Sequence, residues 1–376
     1  MRLRLPVLLP FLLIPFGLWA QSHKQVDRYA QKAPDKVAES IPSLVEYLTD
    51  PYETDLEKVR SIYIWIAYHI TYDKAAYKKG KRRINRSNLD VLRRREAVCF
   101  GYSTLFEEMC SLAGIAARVV EGYPKNMETG TTRLDEINHA WNAVKIDSTW
   151  HLLDITWGSD YQQRDLEFYF LMSPEEMIQS HLPADPMWQL LDCPVPPAIF
   201  QKSAVYIRSY LNSTEQCFDY RDSIRAFHDL SYLDRLMKRT LNAYQFNPVK
   251  ENEEAFGHAY MDYVAELIDQ VDELERQNAI DSIKVLHLSI IDYCQKASRY
   301  IDLYDSQKEN LAYSHMNYAV ALSRELPESK NVEEKLTTML GHFEKAQVIL
   351  QALPTSFVIE NSLEQLAAYI DWTKSY

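Results

Sequence analysis

One of the five cysteines stands where its chemistry could be used. Cys99 opens the run Val98-Cys-Phe-Gly-Tyr-Ser103, and Tyr102, Leu105, Phe106, Met109 and Leu112 then recur at helical spacing. With Gly114 suited to a C-terminal cap, the spacing predicts a helix with Cys99 at or just before its first turn. There, unpaired backbone N–H groups and the helix dipole stabilise a negatively charged sulfur. Cys110 falls on the stripe side of the same helix and reads as structural. A lone cysteine is more often a small buried residue, so Cys99 needs partners before it counts as a nucleophile.

Those partners lie in Asn138-His-Ala-Trp-Asn-Ala-Val-Lys-Ile146 and Trp150-His-Leu-Leu-Asp-Ile-Thr-Trp-Gly158, on either side of Asp147-Ser-Thr149. Two runs rich in β-branched and aromatic residues around a turn predict an antiparallel hairpin. With Asp147-Ser148 as a two-residue loop, Trp141 lies opposite Asp154, and His139 is one diagonal step away, about 7 to 8 Å between Cα positions. His139 and Asp154 then share a face. A three-residue loop would put them on opposite faces, and the turn has no glycine to favour the shorter form. In the first register the chain supplies a relay: Cys99 as nucleophile, His139 as its base and later the proton donor to a leaving amine, Asp154 holding the imidazole tautomer. His69 sits in an apolar helix and reads as core, and His151 faces away from Asp154 on its strand. His181, in Ser180-His-Leu-Pro183, ranks second to His139 as the base. Tyr72, Tyr102, Trp141 and Trp157 are candidate walls of a substrate groove, although aromatics at these spacings are more often core.

Val98-Cys-Phe-Gly-Tyr-Ser103, His139-Ala-Trp-Asn142 and Asp154-Ile-Thr-Trp-Gly158, with Ile70-Thr-Tyr-Asp73 upstream, resemble the transglutaminase-like superfamily, in particular its branch related to kyphoscoliosis peptidase and a fungal cytokinesis protein. The resemblance covers roughly residues 35 to 190. It implies an α+β, papain-like core in which a helix carrying the cysteine packs on an antiparallel sheet, with the triad roles on Cys99, His139 and Asp154. The superfamily includes cross-linking acyl transferases, peptidases, amidases and members that have lost activity. The backbone N–H of Cys99 is one candidate oxyanion donor; the segment Asn85 to Ala97 offers no glutamine for a second.

The elements that must position these residues follow from periodicity and composition. Leu56 to Ile70 is apolar nearly all round after Arg60, as in a buried helix. Lys78, Lys79, Lys81, Arg82, Arg83 and Arg86, followed by Arg93-Arg94-Arg95, read as a solvated basic loop, with a patch for anionic polymers as the sharper alternative. Most of the nine glycines lie between Gly80 and Gly158, and few follow residue 200. Cys193-Pro-Val-Pro-Pro-Ala-Ile199 is the expected linker, since proline continues neither a helix nor a central strand. Beyond it the pattern is helical: Leu233 to Tyr244, Ala255 to Val271, Ile280 to Leu303, Leu311 to Leu326, Val332 to Leu353 and Val358 to Trp372. An all-α, tetratricopeptide-like array and an irregular bundle both fit, because no clean 34-residue period aligns. The expected division is a signal peptide at 1–20, a transglutaminase-like domain at 21–200 and a helical domain at 201–376.

Composition narrows the function classes. Lys and Arg number 41 against 53 Asp and Glu, a net charge of −12 that argues against nucleic acid as a partner. Met1-Arg-Leu-Arg4 precedes the apolar run Leu5 to Trp19, and Ala20 stands before polar residues, which predicts a secretory signal peptide cleaved near Ala20. Pro6, Pro10 and Pro15 interrupt a run shorter than the ~20 residues of a membrane span, so no transmembrane anchor is expected in the mature chain. Cys99, Cys110, Cys193, Cys217 and Cys294 are odd in number, which leaves at least one thiol without an internal partner. No spacing suited to a metal or a phosphate cradle occurs, so neither metal nor cofactor is expected. The sequence therefore points to an extracytoplasmic, periplasmic or secreted, cysteine enzyme that cleaves or transfers amide bonds through a thioester. Its substrate is expected to be a peptide, a protein or the cell envelope, with a protein partner for the C-terminal helices. A catalytically silent module that binds peptide or glycan is the rival reading.

Overall fold

Val59 to Ala67 is buried without interruption, so the helix that carries it has core on every side. The computed structural model describes residues 16–79, 87–159, 165–277 and 279–376. Most of the expected leader, Met1 to Pro15, and the middle of the basic stretch, Gly80 to Arg86, lie outside the described residues. The chain divides into two compact units, Met1–Arg221 and Asp222–Tyr376.

The first unit begins with α1 (Phe16–Gln31), a 3-10 turn (Asp35–Glu39), α2 (Ile41–Thr49) and α3 (Asp55–His69). Ser40 and Thr54 accept the N–H groups of Ser43 and Glu57 and so cap α2 and α3. Arg60, on the otherwise apolar α3, has no exposure. A buried cation is tolerable only when paired. Its guanidinium donates to both carboxylate oxygens of Asp27 on α1 at 2.8 Å, pairs with Glu167 and lies 4.7 Å from the Phe170 ring centroid. The chain leaves α3 as β1 (Thr71–Tyr72), passes through α4 (Lys74–Lys78) and α5 (Asn88–Arg94), and returns as β2 (Glu96–Ala97). β1 and β2 pair in parallel, Tyr72 opposite Ala97. Then comes α6 (Cys99–Leu112), closed by Gly114 at φ +75°, as the sequence predicts.

The sheet is antiparallel, in the order β5 (Thr149–Leu153), β4 (His139–Ile146), β3 (Ala117–Pro124), β6 (His181–Pro183). α6 packs on β3 and β4, and their shared core includes Tyr102, Leu105, Phe106, Met109, Val144 and Leu153. The short α7 (Ile155–Gly158) and α8 (Pro174–Met177) lie between β5 and β6. This is the α+β, papain-like arrangement expected. The β4–β5 turn takes the two-residue form: Ile146 faces Thr149, and Asp147 and Ser148 adopt φ of 46° and 69°. Both residues bear the left-handed backbone of a I′ turn without glycine.

The proline segment is packed within the first unit. Gln189 brackets Val195, its Oε1 accepting the Val195 N–H at 2.8 Å and its Nε2 donating to the Val195 carbonyl at 3.1 Å. Val195 is fully buried, and the Lys125 ammonium donates to the carbonyls of Phe200 and Lys202. α9 (Pro197–Phe200) leads into α10 (Ala204–Ser213), and with the Cys193–Cys217 disulfide the first unit runs on past the expected boundary at 200. Proline excludes a central strand or helix interior, but not a packed, hydrogen-bonded turn.

α11 (Tyr220–His228) runs across the division between the units. The second unit continues with α12 (Tyr232–Phe246), α13 (Lys250–Arg276), α14 (Ile280–Ala297), α15 (Asp305–Ser323), α16 (Val332–Gln351) and α17 (Phe357–Ser375). From α12 onward each helix packs against the next. Met261, Val264, Ile290 and Cys294 form one core between neighbours; Ala319, Met339, Phe343 and Leu366 belong to another. Alternate helices begin at Ile280 and Val332, much further apart than the ~34 residues of a tetratricopeptide repeat. No described helix is long and apolar enough to cross a membrane.

The turn yields a direct test of the hairpin register. Non-glycine residues in left-handed backbone lose about 1 kcal/mol, so Ser148→Gly is expected to raise the urea midpoint of the first unit, worth up to ~1 kcal/mol. A lowered midpoint would contradict the I′ turn.

Candidate active site

Cys99 is the first residue of α6, and no side chain caps that turn. The β1–β2 pair sets it there, with the N–H groups of Thr71 and Asp73 donating to the carbonyls of Arg95 and Ala97 at 2.8 and 2.9 Å. Tyr102, one turn in, donates its hydroxyl to the Ile70 carbonyl at 2.7 Å. Gly101 is needed for the close approach: a Cβ there would stand 2.8 Å from that of Ala97. Asn142 on β4 donates its amide to the Ser103 carbonyl at 3.0 Å and to that of Arg118 at 3.3 Å, tying the helix to the sheet.

His139 begins β4, and Asp154 follows β5 as the N-cap of α7. The ladder runs from Ile146 opposite Thr149 to Asn142 opposite Leu153, so His139 and Asp154 fall on one face. His139 Nε2 lies 2.6 Å from Asp154 Oδ2, and Cys99 stands close enough to the same imidazole to favour its charged form. With Nε2 taken, Nδ1 is the nitrogen left for sulfur. The structure thus brings together Cys99, His139 and Asp154, at 3%, 7% and 0% exposure.

Burial opposes charge on His139, but the Asp154 carboxylate, and then Cys99, outweigh it and push the imidazole up to about 10. Burial would likewise raise Asp154; the His139 charge and hydrogen bonds from both imidazoles hold it well below the usual carboxylate range. Asp154 Oδ1 also accepts the Trp157 N–H at 3.0 Å, and its own N–H donates to the Tyr169 carbonyl at 3.0 Å.

Sequence reasoning ranked His181 as a rival base. In the structure it meets the carboxylate instead, Nε2 lying 3.0 Å from Asp154 Oδ2 and Nδ1 2.7 Å from Ser180 Oγ. Neither ring nitrogen remains for Cys99. The signal was weak because β6 has only three residues, too few to show alternation. His69 stacks on Trp65 and bonds its carbonyl at 2.9 Å, and His151 pairs across to Val144, both outside the cluster.

The four aromatic candidates separate. Trp157 and Tyr72 are half-buried: the first stacks on His139 at 5.3 Å, and the second is close enough to Cys99 to feel its charge. Burial, then Cys99, raises the Tyr72 phenol. Tyr102 and Trp141 are corrected to core positions, since both are buried and offer no surface to a groove. Trp141 nonetheless packs 5.9 Å from His139 and 5.0 Å from His181, and its buried indole N–H has no acceptor among the described residues.

Cys110 and Cys294 are also free thiols, but each is buried. Desolvation pushes Cys110 well above its ordinary value and Cys294 up to about 12. His139, Asp154 and His181 each place one ligand atom within 4.8 Å of the others, a set of metal-ligand type that the sequence spacing did not suggest. Each imidazole places its Nε2 on Asp154 Oδ2, at 2.6 and 3.0 Å.

Residues 42–155 match the family described as the transglutaminase-like superfamily. Human kyphoscoliosis peptidase is 38% identical over 202 residues, 51% of this chain and 30% of that protein. Cytokinesis protein 3 of Schizosaccharomyces pombe is 30% identical over 199 residues, 50% of this chain and 22% of that protein. The chain thus spans less than a third of the length of these relatives. Among solved structures, one described as a putative cysteine protease from Cytophaga hutchinsonii is 20% identical, covering 39% of this chain and 45% of that one at a TM-score of 0.26.

The ion pair fixes a pH dependence. His139, ordinarily near 6.5, is raised to about 10, so its stabilisation is complete below pH 6.5 and drains away as pH rises towards 10. Asp154, held below its ordinary 3.8, contributes above that value and loses its share as the solution acidifies further. The excess stability of the wild type over Asp154→Asn in urea is therefore expected to be greatest between pH 4 and 6.5. It should narrow steadily to pH 10, and a constant excess would contradict the pair.

Proposed function

We propose that this chain, which carries a domain of the transglutaminase-like superfamily, is a cysteine enzyme acting on amide bonds through a thioester, with water as the favoured acceptor. The observation that carries the reading is a His139 imidazole bonded at 2.6 Å to a fully buried Asp154 and near enough to Cys99 to be raised by it. The Cys99 sulfur attacks the amide carbonyl carbon, and the π pair moves to oxygen. As the tetrahedral species collapses, the carbon–nitrogen bond breaks and the His139 imidazolium gives its proton to the departing amine. Neutral His139 then takes a proton from water, whose oxygen attacks the thioester and returns the sulfur as leaving group. Asp154 holds the imidazole with Nδ1 towards sulfur throughout. An amine in place of water would make the same site a cross-linking transferase.

The substrate is proposed to be a peptide, a protein or a cell-envelope amide met outside the cytoplasm. The apolar leader and the Cys193–Cys217 disulfide support an oxidising, extracytoplasmic setting. Exposed Val348, Phe357 and Val358 on α16 and α17 support a protein partner for the helical unit. The rival reading, a silent binding module, draws on the near-complete burial of Cys99.

Iodoacetamide labelling of the whole chain, read by peptide mass spectrometry, separates the two. Cys99 is expected to label ahead of Cys110 and Cys294, and His139→Ala to slow that labelling about tenfold or more. Cys99→Ala should abolish turnover of peptide amides while the fold persists. Full turnover in that variant, or labelling of Cys99 indifferent to His139, would favour the silent module.

A further inference from the structure

The Asp154 carboxylate has more donors than a relay needs. Oδ2 faces the Nε2 atoms of His139 at 2.6 Å and His181 at 3.0 Å, while Oδ1 takes the Trp157 N–H. We propose that His181 is a positioning residue of this site: by sharing Oδ2 with His139, it fixes the carboxylate and tempers its pull on the imidazole that meets Cys99. The proposal rests on the cysteine-enzyme reading for its consequence, but not for its geometry.

The tautomer follows from the partners. An ionised carboxylate only accepts, so His181 Nε2 carries the hydrogen; Nδ1 of the neutral ring is then bare and accepts a hydrogen bond from the Ser180 hydroxyl at 2.7 Å. Burial and the His139 charge keep the ring neutral against the opposing pull of Asp154. A neutral N–H at Oδ2 draws electron density from the carboxylate without adding a second cation to a dry pocket. The bond to His139 stays short, but the carboxylate holds that proton less tightly than it would alone.

The fold invests in this placement. β3 runs between the two histidine strands, Gly122 facing His139 on β4 and Pro183 on β6. A Cβ on Gly122 would stand 2.1 Å from the Leu182 carbonyl oxygen, so only glycine lets β6 come this close. The ring is then walled by Trp157 at 4.4 Å and Trp141 at 5.0 Å. Facing it are the titratable groups Asp154 and His139, with the Tyr169 ring further off at 6.4 Å. The charged neighbours of β6 are engaged elsewhere. The Lys125 ammonium is spent on the Phe200 and Lys202 carbonyls, and Asp185 accepts the Met187 N–H.

The test uses the full chain in two variants. His181→Phe keeps a flat ring and removes the donor; His181→Gln restores an N–H at the reach of Nε2. Nitrogen NMR of His139 is expected to show its titration midpoint rising by about half a pH unit or more in the Phe variant, since the carboxylate then pulls undiluted. Because the freed carboxylate no longer holds the ring aimed at sulfur, Cys99 alkylation near pH 7 should slow about fivefold, with the Gln variant within about twofold of wild type in both measurements. An unmoved His139 midpoint in the Phe variant would overturn the proposal. So would a Gln variant as impaired as the Phe one, which would mark a purely structural ring. Neither readout needs turnover: a chain that cleaves nothing but shows the Phe-specific shift would sink the enzymatic reading and leave this one standing.

Discussion

A carboxylate with no exposure, bonded at 2.6 Å to a nearly buried imidazole, is the interaction on which the first unit depends. Removing two charges from water costs several kcal/mol per ion, and attraction alone offsets that only when the remaining lone pairs are also satisfied. Asp154 meets the condition with three donors, from His139, His181 and the Trp157 backbone. Arg60 shows the same logic on the other side of the core: it is fully buried, and both oxygens of Asp27 answer it.

That constraint explains several features that look unrelated. Asp154 directly follows β5 and caps α7, so a single backbone position joins the hairpin, the helix and the ion pair. The hairpin must take the two-residue turn, because a slip of one residue would carry Asp154 to the far face. It does so even though Asp147 and Ser148 must adopt left-handed backbone. Asn142, two residues beyond Ala140 on the same strand, then anchors the cysteine helix through the Ser103 carbonyl. Nucleophile and base are therefore held by one strand.

Much of this was legible in the residues. The stripe after Cys99 located the helix, and parity put His139 on the face of Asp154 if Asp147-Ser148 formed a two-residue loop, which is the form the turn takes. What could not be read was long-range and irregular. β6 is too short to carry a period, so nothing in Ser180-His-Leu-Pro183 pointed to Asp154. Glycines 101 and 122 stood out only as glycines; what a side chain would strike there is a fact of packing. The Pro-rich segment suggested a linker because proline breaks regular elements, yet Gln189 and the disulfide draw it into the first unit. Tyr102 and Trp141 illustrate the same limit, since an aromatic beside a nucleophile can support it from beneath as readily as line its groove.

The aromatic enclosure sets the strength of the whole arrangement. Trp141, Trp157 and Tyr169 surround the two imidazoles with rings rather than water. In such a medium every hydrogen bond to the carboxylate is electrostatically stronger, and every missing one is more costly. The dryness opposes charge on His139, which Asp154 keeps protonated up to about pH 10, and it leaves no solvent to replace a lost donor. Positioning and protonation are therefore one property of this site: the groups that fix the direction of Asp154 are the groups that keep it ionised, and the imidazole facing Cys99 inherits both.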